Sequence, residues 1–253
     1  MKFFYVIQGS RIKHYLIVFV AALFSAVLLY VEKNEVAVLT TSEGPHAIDA
    51  VQAAEDVIAL TFDISWGDKQ AIPILDVLKK YEINDTTFFL SGSWAERHPE
   101  TVERIREDGH EIGNLGFYYE HYTTLEDDEI KKDIQLSTHV LEQLTDERPT
   151  LYRPPHGSFD RRVLKLLNQY EYTTIHWSVN SDDWKNPGTD TIVKNVIENA
   201  KSGDIVLLHA SDSAKQTANA LPSIIEHFQH KGFRFVTVTE LIANTNIETK
   251  EIN

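Results

Sequence analysis

The 253-residue sequence contains no cysteine, which excludes disulfide bonds, thiolate nucleophiles and cysteine-ligated zinc. It also lacks the positive charge that a phosphate-binding surface needs, because 24 Lys and Arg residues stand against 38 Asp and Glu residues for a net charge of -14. We therefore expect no nucleic-acid partner. No repeat, low-complexity tract or linker divides the middle of the chain, so we expect one folded domain.

One long hydrophobic run lies near the N-terminus, at residues 15–31. It carries no charge, and at about 1.5 Å per residue a helix of this length just crosses the core of a bilayer. We predict an uncleaved single-pass membrane anchor. A cleaved signal peptide and a buried core helix are the alternatives, but no small-residue cleavage motif follows closely and the run is apolar on every side. Lys2, Arg11 and Lys13 precede it, which predicts a cytoplasmic segment 1–14 and an exported remainder.

The exported remainder is predicted to comprise a stalk, a domain and a tail. Residues 32–56 are weakly periodic and contain a Gly-Pro break, so we predict a stalk that lifts the domain off the membrane. The domain is expected over residues 57–242, and the polar tail 243–253 receives no function. An exported protein without disulfides suits a Gram-positive envelope or spore.

Short apolar runs alternate with amphipathic ones through the predicted domain. Seven runs are typical of strands: Val57–Phe62, Thr86–Leu90, Glu111–Leu115, Leu151–Arg153, Thr173–Trp177, Asp204–Leu208 and Arg234–Val238. Helical spacing is clearest in Ala71–Tyr81, Leu125–Leu144 and Ala220–His230, and Thr124 with Asp127 predicts a capping box. This alternation predicts a mainly parallel sheet, and about seven strands favour a (β/α) barrel over an open sheet.

Several predicted strands are followed by polar side chains. Among them, Asp63 and Asp183 supply two carboxylates, Arg153 a guanidinium and His209 an imidazole. Because the carboxyl ends of parallel strands meet at one rim, we expect these side chains to converge there. Each alone is also explained as a helix cap, an ion pair, a turn residue or a histidine at a strand end. Together they resemble a hydrolytic set with a base, an acid and two positioning groups.

Four ordered motifs resemble those of NodB-type polysaccharide deacetylases, the carbohydrate esterase 4 family. They are Leu60–Asp63, Arg153–Gly157, Asp183–Trp184 and Leu207–His209. The resemblance spans roughly residues 57–242, and several motifs in order are more specific than one. Through Thr61–Gly67 and His209–Ser213 it is closest to the sporulation deacetylases of the PdaB type.

The resemblance implies a distorted (β/α) barrel that removes the N-acetyl group of an extracellular glycan, usually peptidoglycan or a chitin-like polymer. It makes Asp63 the general base and His209 the general acid. Arg153 would pair with Asp63, and Asp183 would orient His209. The expected partner is an N-acetylated cell-wall glycan.

The same resemblance implies a substrate pocket formed by His156, Gly157, Trp184 and Leu207. The backbone N–H of His156 would face the oxyanion, while Trp184 and Leu207 would form walls for the acetyl methyl group. Such a pocket needs apolar walls and one aimed donor, and these residue types supply both.

The divalent metal that the family usually binds lacks its expected ligands in this sequence. The positions of a second aspartate and a histidine pair hold Ile64, Leu115 and Tyr119, which do not coordinate zinc through ordinary His or carboxylate chemistry. Without a metal, the pKa of water exceeds that of an aspartate by about 12 units, against about 3 units with one. We expect metal-dependent deacetylation to be absent or very weak, and we assign no cofactor.

A substitute metal site would have to come from other residues. The candidates are His121, Glu120, Asp182, Asp68 and His46, none at a ligand spacing that predicts a site. Two functions therefore stay open. One is a peptidoglycan N-deacetylase-like hydrolase that acts in sporulation by a reduced or altered mechanism; the other is a catalytically inactive glycan-binding or envelope-structural protein on the same fold.

Overall fold

The computed structural model describes residues 44–243, in which parallel strands alternate with helices. The strands are β1 (Ala47–Ile48), β2 (Val57–Ile64), β3 (Thr87–Leu90), β4 (Glu111–Asn114), β5 (Leu151–Tyr152), β6 (Thr173–Ile175), β7 (Val179–Asn180), β8 (Ile205–His209) and β9 (Arg234–Phe235). The α-helices are α1 (Ala71–Lys80), α2 (Gly92–Ala95), α3 (Pro99–Glu107), α4 (Asp127–Thr145), α5 (Arg161–Gln169), α6 (Thr189–Ile197), α7 (Thr217–His230) and α8 (Val238–Ala243). Short 3₁₀ turns lie at Tyr122–Thr124, Pro155–Gly157 and Asp183–Lys185.

Eight strands lie on one path, in the order β1-β6-β5-β4-β3-β2-β8-β7, and β9 pairs with the start of β2. Every strand pair in this sheet is parallel. The segment Thr173–Asn180 supplies β6 near one end of the path and β7 at the other, which curls the sheet into an incompletely closed barrel. The predicted parallel, barrel-like α/β fold is confirmed, with more strands than the seven that the sequence indicates.

Strand β2 separates two apolar layers because its side chains alternate between the two faces of the sheet. Leu60 and Ile64 belong to the cluster that packs under helices α1 and α7. Ala59 belongs to the opposite cluster, inside the barrel, together with Phe89 and Leu115. All eight residues of β2 are buried, as expected for a central parallel strand covered on both faces.

The domain begins earlier than the sequence predicts. Ala47–Ile48, expected to belong to the stalk, is the edge strand β1 and pairs with β6, and the Val51 N–H donates to the Gly203 carbonyl at 2.9 Å. A two-residue strand is too short to show an alternating pattern, so the correction could not come from periodicity.

Two helix starts also differ from prediction. The capping box at α4 is formed by Glu126 and Glu129, whereas the Thr124 hydroxyl donates to the His121 carbonyl within the preceding turn. Helix α7 begins at Thr217 rather than Ala220, so Pro222 lies inside the helix. Local hydrogen-bond competition decides such boundaries.

The predicted cytoplasmic segment 1–14, the anchor 15–31, most of the stalk and nearly all of the tail lie outside the described residues. Between residues 44 and 243, none of the helices combines the length and hydropathy that a membrane span requires.

Candidate functional site

Asp63 and His209 lie side by side at the carboxyl end of the sheet. They are paired positions in the parallel ladder between β2 and β8. Asp63 is buried, and His209 keeps a small exposed fraction of 12% of its side chain. The rim therefore presents a carboxylate and an imidazole from neighbouring strands, with the imidazole accessible to a ligand.

Arg153 lies beneath Asp63 as a fully buried cation. Its guanidinium donates to Asp63 Oδ1 at 2.7 Å and to the Thr61 hydroxyl at 2.9 Å. The ring of Phe89 lies 4.1 Å from the guanidinium carbon and that of Trp177 lies 5.6 Å from it. Burial lowers the pKa of Arg153 although Asp63 opposes this shift. The ion pair fixes the position of the Asp63 carboxylate.

Asp183 orients His209 by two contacts. Its Oδ1 lies 2.7 Å from His209 Nδ1, and its Oδ2 accepts the His209 backbone N–H at 2.7 Å. The Thr217 hydroxyl donates to the same Oδ2 at 2.7 Å. Burial lowers the pKa of His209, but the hydrogen bond to Asp183 and the charges of Asp183 and Asp63 outweigh it, so the net shift is upward. Nε2 of His209 is left to face a ligand.

His156 lies at the edge of this site. Its backbone adopts a left-handed conformation with φ 59°, and its Nε2 lies 3.0 Å from the Tyr119 carbonyl oxygen. Its ring stacks on His121 at 4.1 Å and lies 4.2 Å from the Tyr119 ring. Burial lowers the pKa of His156, and the nearby His121 lowers it further. The imidazole is therefore a neutral rim group at neutral pH.

The other predicted pocket residues surround the same rim. Leu207 is buried on β8, paired with Thr61, two residues below His209 on the same face. Trp184 is 48% exposed in the turn that carries Asp183. Gly157 packs so closely that an added Cβ would lie 2.7 Å from Trp177. Their substrate roles stay predictions.

The residues at the expected metal positions do not form a ligand set. Ile64 is fully buried in the helix-side cluster, while Leu115 is fully buried in the cluster inside the barrel, so their side chains lie on opposite faces of the sheet. Burial and the charge of Asp63 raise the pKa of Tyr119, which keeps the phenol protonated. Two apolar side chains and a neutral phenol do not fit a divalent metal.

The proposed substitute ligands do not assemble either. Among residues 44–243, no group of three or more His, Asp or Glu side chains is arranged to hold a metal ion. His121 is stacked on His156, and Asp182 pairs with Lys185 at 3.0 Å.

Several supporting residues carry no sequence signal. Thr217 lies on a helix and Phe89 lies inside the barrel, so only the folded structure brings them to Asp183 and Arg153. Asp133 of α4 is a further case, because it accepts the backbone N–H groups of Phe117 and Tyr118 at 2.7 and 2.9 Å. Among these supporting residues, Thr61, whose hydroxyl accepts from Arg153, is the one that lies within a sequence motif, Leu60–Asp63.

Comparison with known proteins places the chain among glycan deacetylases. Residues 50–175 match the polysaccharide deacetylase family. A peptidoglycan-N-acetylglucosamine deacetylase of Bacillus cereus is 38% identical over 191 residues, which cover 74% of this chain and 89% of that protein.

Solved structures show the same fold. BA3943 of Bacillus anthracis, a CE4 family pseudoenzyme, matches with a TM-score of 0.74 and 29% identity over 81% of this chain and 72% of its own. A BA3943 mutant with restored enzymatic activity matches with a TM-score of 0.75 and 30% identity over 81% of this chain and 74% of its own. PdaA of Bacillus subtilis, a family 4 carbohydrate esterase, matches with a TM-score of 0.72 and 30% identity over 78% of this chain and 85% of its own.

Proposed function

Because the chain belongs to the polysaccharide deacetylase (NodB, carbohydrate esterase 4) family, we propose that it binds N-acetylated peptidoglycan at the barrel rim and does not hydrolyse it by a metal-dependent reaction. The observation that carries this proposal has two parts. The Asp63–His209 arrangement is intact, while Ile64 and Leu115 place apolar side chains at expected metal positions. The substrate class is that of relatives named as peptidoglycan deacetylases.

The paired groups can recognise an N-acetyl sugar by hydrogen bonding. Arg153 holds Oδ1 of Asp63, so the other carboxylate oxygen can accept a hydroxyl or amide N–H of the glycan. His209, whose Nδ1–H donates to Asp183, can accept a hydroxyl or amide N–H at Nε2 when the ring is neutral, and it can donate from Nε2 to a carbonyl or hydroxyl oxygen when the ring is protonated. Leu207 and Trp184 are apolar groups suited to the acetyl methyl.

Slow deacetylation without a metal is the second candidate, and the base–acid geometry of Asp63 and His209 favours it. In that reaction Asp63 would take a proton from water as the water attacks the acetyl carbon, and His209 would protonate the departing amine. Full proton transfer from free water to a carboxylate costs about 16 kcal/mol, an upper bound, against about 4 kcal/mol from metal-bound water. The binding function is therefore the better supported one. A CE4 pseudoenzyme of similar structure supports it as well.

Calorimetry of the full chain with N-acetylated and de-N-acetylated peptidoglycan fragments tests the proposal, with released acetate measured in parallel. We expect the chain to bind the N-acetylated fragment more tightly than the de-N-acetylated one. We also expect no metal-dependent acetate release, that is, none that a chelator would abolish. Asp63→Asn should weaken binding about tenfold, by loss of a charged hydrogen bond. Asp85→Asn, an exposed carboxylate that precedes β3 at the amino end of the sheet, is the matched control.

Two outcomes decide between the candidates. Acetate release that Asp63→Asn abolishes and a chelator does not affect would establish the metal-free hydrolase. Equal affinity for both fragments, or none for either, would contradict recognition of the acetyl group.

Location and timing form a separate part of the proposal. The hydrophobic run 15–31 supports attachment to the cell membrane with the domain outside, and the PdaB-like motifs support a role in sporulation. Protease treatment of intact cells, before and during sporulation, should digest a C-terminally tagged chain from outside. A protected tag in intact cells would contradict the proposed orientation.

A further inference from the structure

Large hydrophobic side chains are rarely exposed in the part of the chain that the structure describes, and most of the exposed ones lie on the rim. Within residues 44–243 four such side chains are exposed: Trp66 at 53%, Ile72 at 36%, Tyr118 at 56% and Trp184 at 48%. The three aromatic residues all follow the carboxyl ends of strands, on the rim that holds Asp63 and His209. Exposed aromatic groups concentrated beside a functional site are typical of a binding surface.

The three aromatic residues follow alternate strands along the rim. Tyr118 follows β4, Trp66 follows β2 and Trp184 follows β7. In the order β4-β3-β2-β8-β7, each is two strands from the next, which corresponds to about 10 Å at the usual strand spacing. The Asp63–His209 pair lies between the outer two. This spacing suits an extended ligand better than a compact one.

Trp66 is held by a well-bonded turn. The Ser65 N–H donates to the Ser211 hydroxyl at 2.9 Å, and the Gly67 carbonyl accepts the indole N–H of Trp94 at 2.6 Å. Both neighbours of Trp66 are thus attached to other parts of the barrel. An exposed indole on a fixed turn loses little conformational entropy when it binds a ligand.

The other two aromatic residues are fixed in the same way. Asp133 accepts the backbone N–H of Tyr118, and the Asn186 side chain bridges the carbonyls of Trp184 at 3.2 Å and Ser213 at 2.7 Å. All three rings are therefore presented by hydrogen-bonded turns.

We propose that Trp66 and Tyr118 are outer sugar-binding residues, and that the site takes a linear N-acetylated glycan long enough to reach them from the Asp63–His209 pair. This inference rests on the proposed glycan-binding function and extends it from one acetyl group to a strand. A pyranose ring has apolar C–H faces, which an aromatic ring can cover at low entropic cost. A row of such rings on both sides of the polar pair matches a repeating polymer.

Affinity measured against glycan length tests the inference. The full chain is titrated with di-, tetra- and hexasaccharides of N-acetylated peptidoglycan, with Trp66→Ala, Tyr118→Ala, Trp66→Phe and the control Ile72→Ala alongside. We expect wild-type affinity to rise with length. Each aromatic-to-alanine change should lower hexasaccharide affinity about fivefold and leave disaccharide affinity within about twofold. Trp66→Phe should retain part of the rise in affinity with glycan length, and Ile72→Ala should match the wild type.

The length series distinguishes failure of the outer sugar sites from failure of the proposed glycan-binding function. Wild-type binding that is independent of length would overturn the outer sites and leave the proposed function standing. Equal losses for disaccharide and hexasaccharide in Trp66→Ala and Tyr118→Ala would also overturn them. No binding of any fragment would overturn the proposed function, and the inference with it. Circular dichroism of each variant verifies that it is folded.

Discussion

Two neighbouring parts of the rim differ sharply in chemistry. The acid–base side consists of Asp63, Arg153, Asp183 and His209, joined in buried charged hydrogen bonds. The replaced side consists of the expected metal positions Ile64, Leu115 and Tyr119, where two side chains are packed in apolar clusters. One side keeps its charged hydrogen bonds, whereas the other has none of the usual ligands.

The contrast teaches that a catalytic arrangement can persist for structural reasons. Arg153 and Asp183 are fully buried and pair with Asp63 and His209 respectively. Loss of one member of a pair would therefore leave the other as an uncompensated charge in the interior. A metal site has no such constraint, because its ligands can be replaced by apolar side chains that fill the core. An intact acid–base side is therefore compatible with binding as well as with catalysis.

Arg153→Leu should have the largest effect on folding. It leaves Asp63 buried without its partner, and we expect the free energy of unfolding to fall by about 3–5 kcal/mol. Urea denaturation followed by circular dichroism measures the change. The double variant Asp63→Leu with Arg153→Leu should recover much of the loss, because both charges are removed. A loss below about 1 kcal/mol for Arg153→Leu would contradict the buried ion pair.

Leu115→His tests the replaced side, because it restores a residue type that the family resemblance expects. The imidazole would replace apolar contacts in the cluster around Phe89, and we expect a loss of about 3 kcal/mol. Denaturation with and without zinc is the measurement. Recovery of stability on adding zinc would show that a ligand set remains on this side, and would contradict the loss of the metal site.

Asp183→Asn should have a smaller, pH-dependent effect of about 1–2 kcal/mol. Asp183 raises the pKa of His209 above its ordinary value of 6.5, so the stabilisation is present below that value and is lost as the pH rises through the folded pKa. The difference between wild type and variant should shrink from acid to alkaline pH, and NMR titration should show a lower pKa of His209 in the variant. A difference that grows with pH would contradict this assignment.

Tyr119→Phe should change least. The ring keeps its contact with His156, and only the phenol hydroxyl is lost, so we expect a change below about 1 kcal/mol in unfolding free energy. Thermal and urea denaturation measure it. Tyr119→Ala, which also removes the ring, is the comparison and should cost more; equal effects would mean that the ring does not support the rim.

The fold was largely predictable because its central strands are continuous apolar runs. The run Val57–Phe62 is buried on both faces as β2, which is the pattern of a parallel strand. The two strands that the sequence did not reveal, β1 and β7, are two residues long and carry no periodic signal. The predicted ends of the strands also indicated that Asp63 and His209 would meet, because parallel strands end at one rim.

The rest of the site depends on contacts between distant segments. The hydroxyl of Thr217 reaches Asp183 across 34 residues, and the guanidinium of Arg153 stacks on Phe89 from another strand. Neither contact has a local pattern. Sequence spacing also does not reveal that Ile64 and Leu115 face opposite layers, which follows only from the pleat of the folded sheet.

The central claim is that the chain has lost its metal site and with it metal-dependent deacetylation. Zinc titration of the full chain tests this claim most directly. Calorimetry should show no saturable zinc binding by this chain at micromolar concentrations. Adding zinc should release no acetate from N-acetylated peptidoglycan, whereas the Bacillus cereus peptidoglycan-N-acetylglucosamine deacetylase, as the positive control for deacetylation, should release it. One-to-one zinc binding together with zinc-dependent acetate release would contradict it.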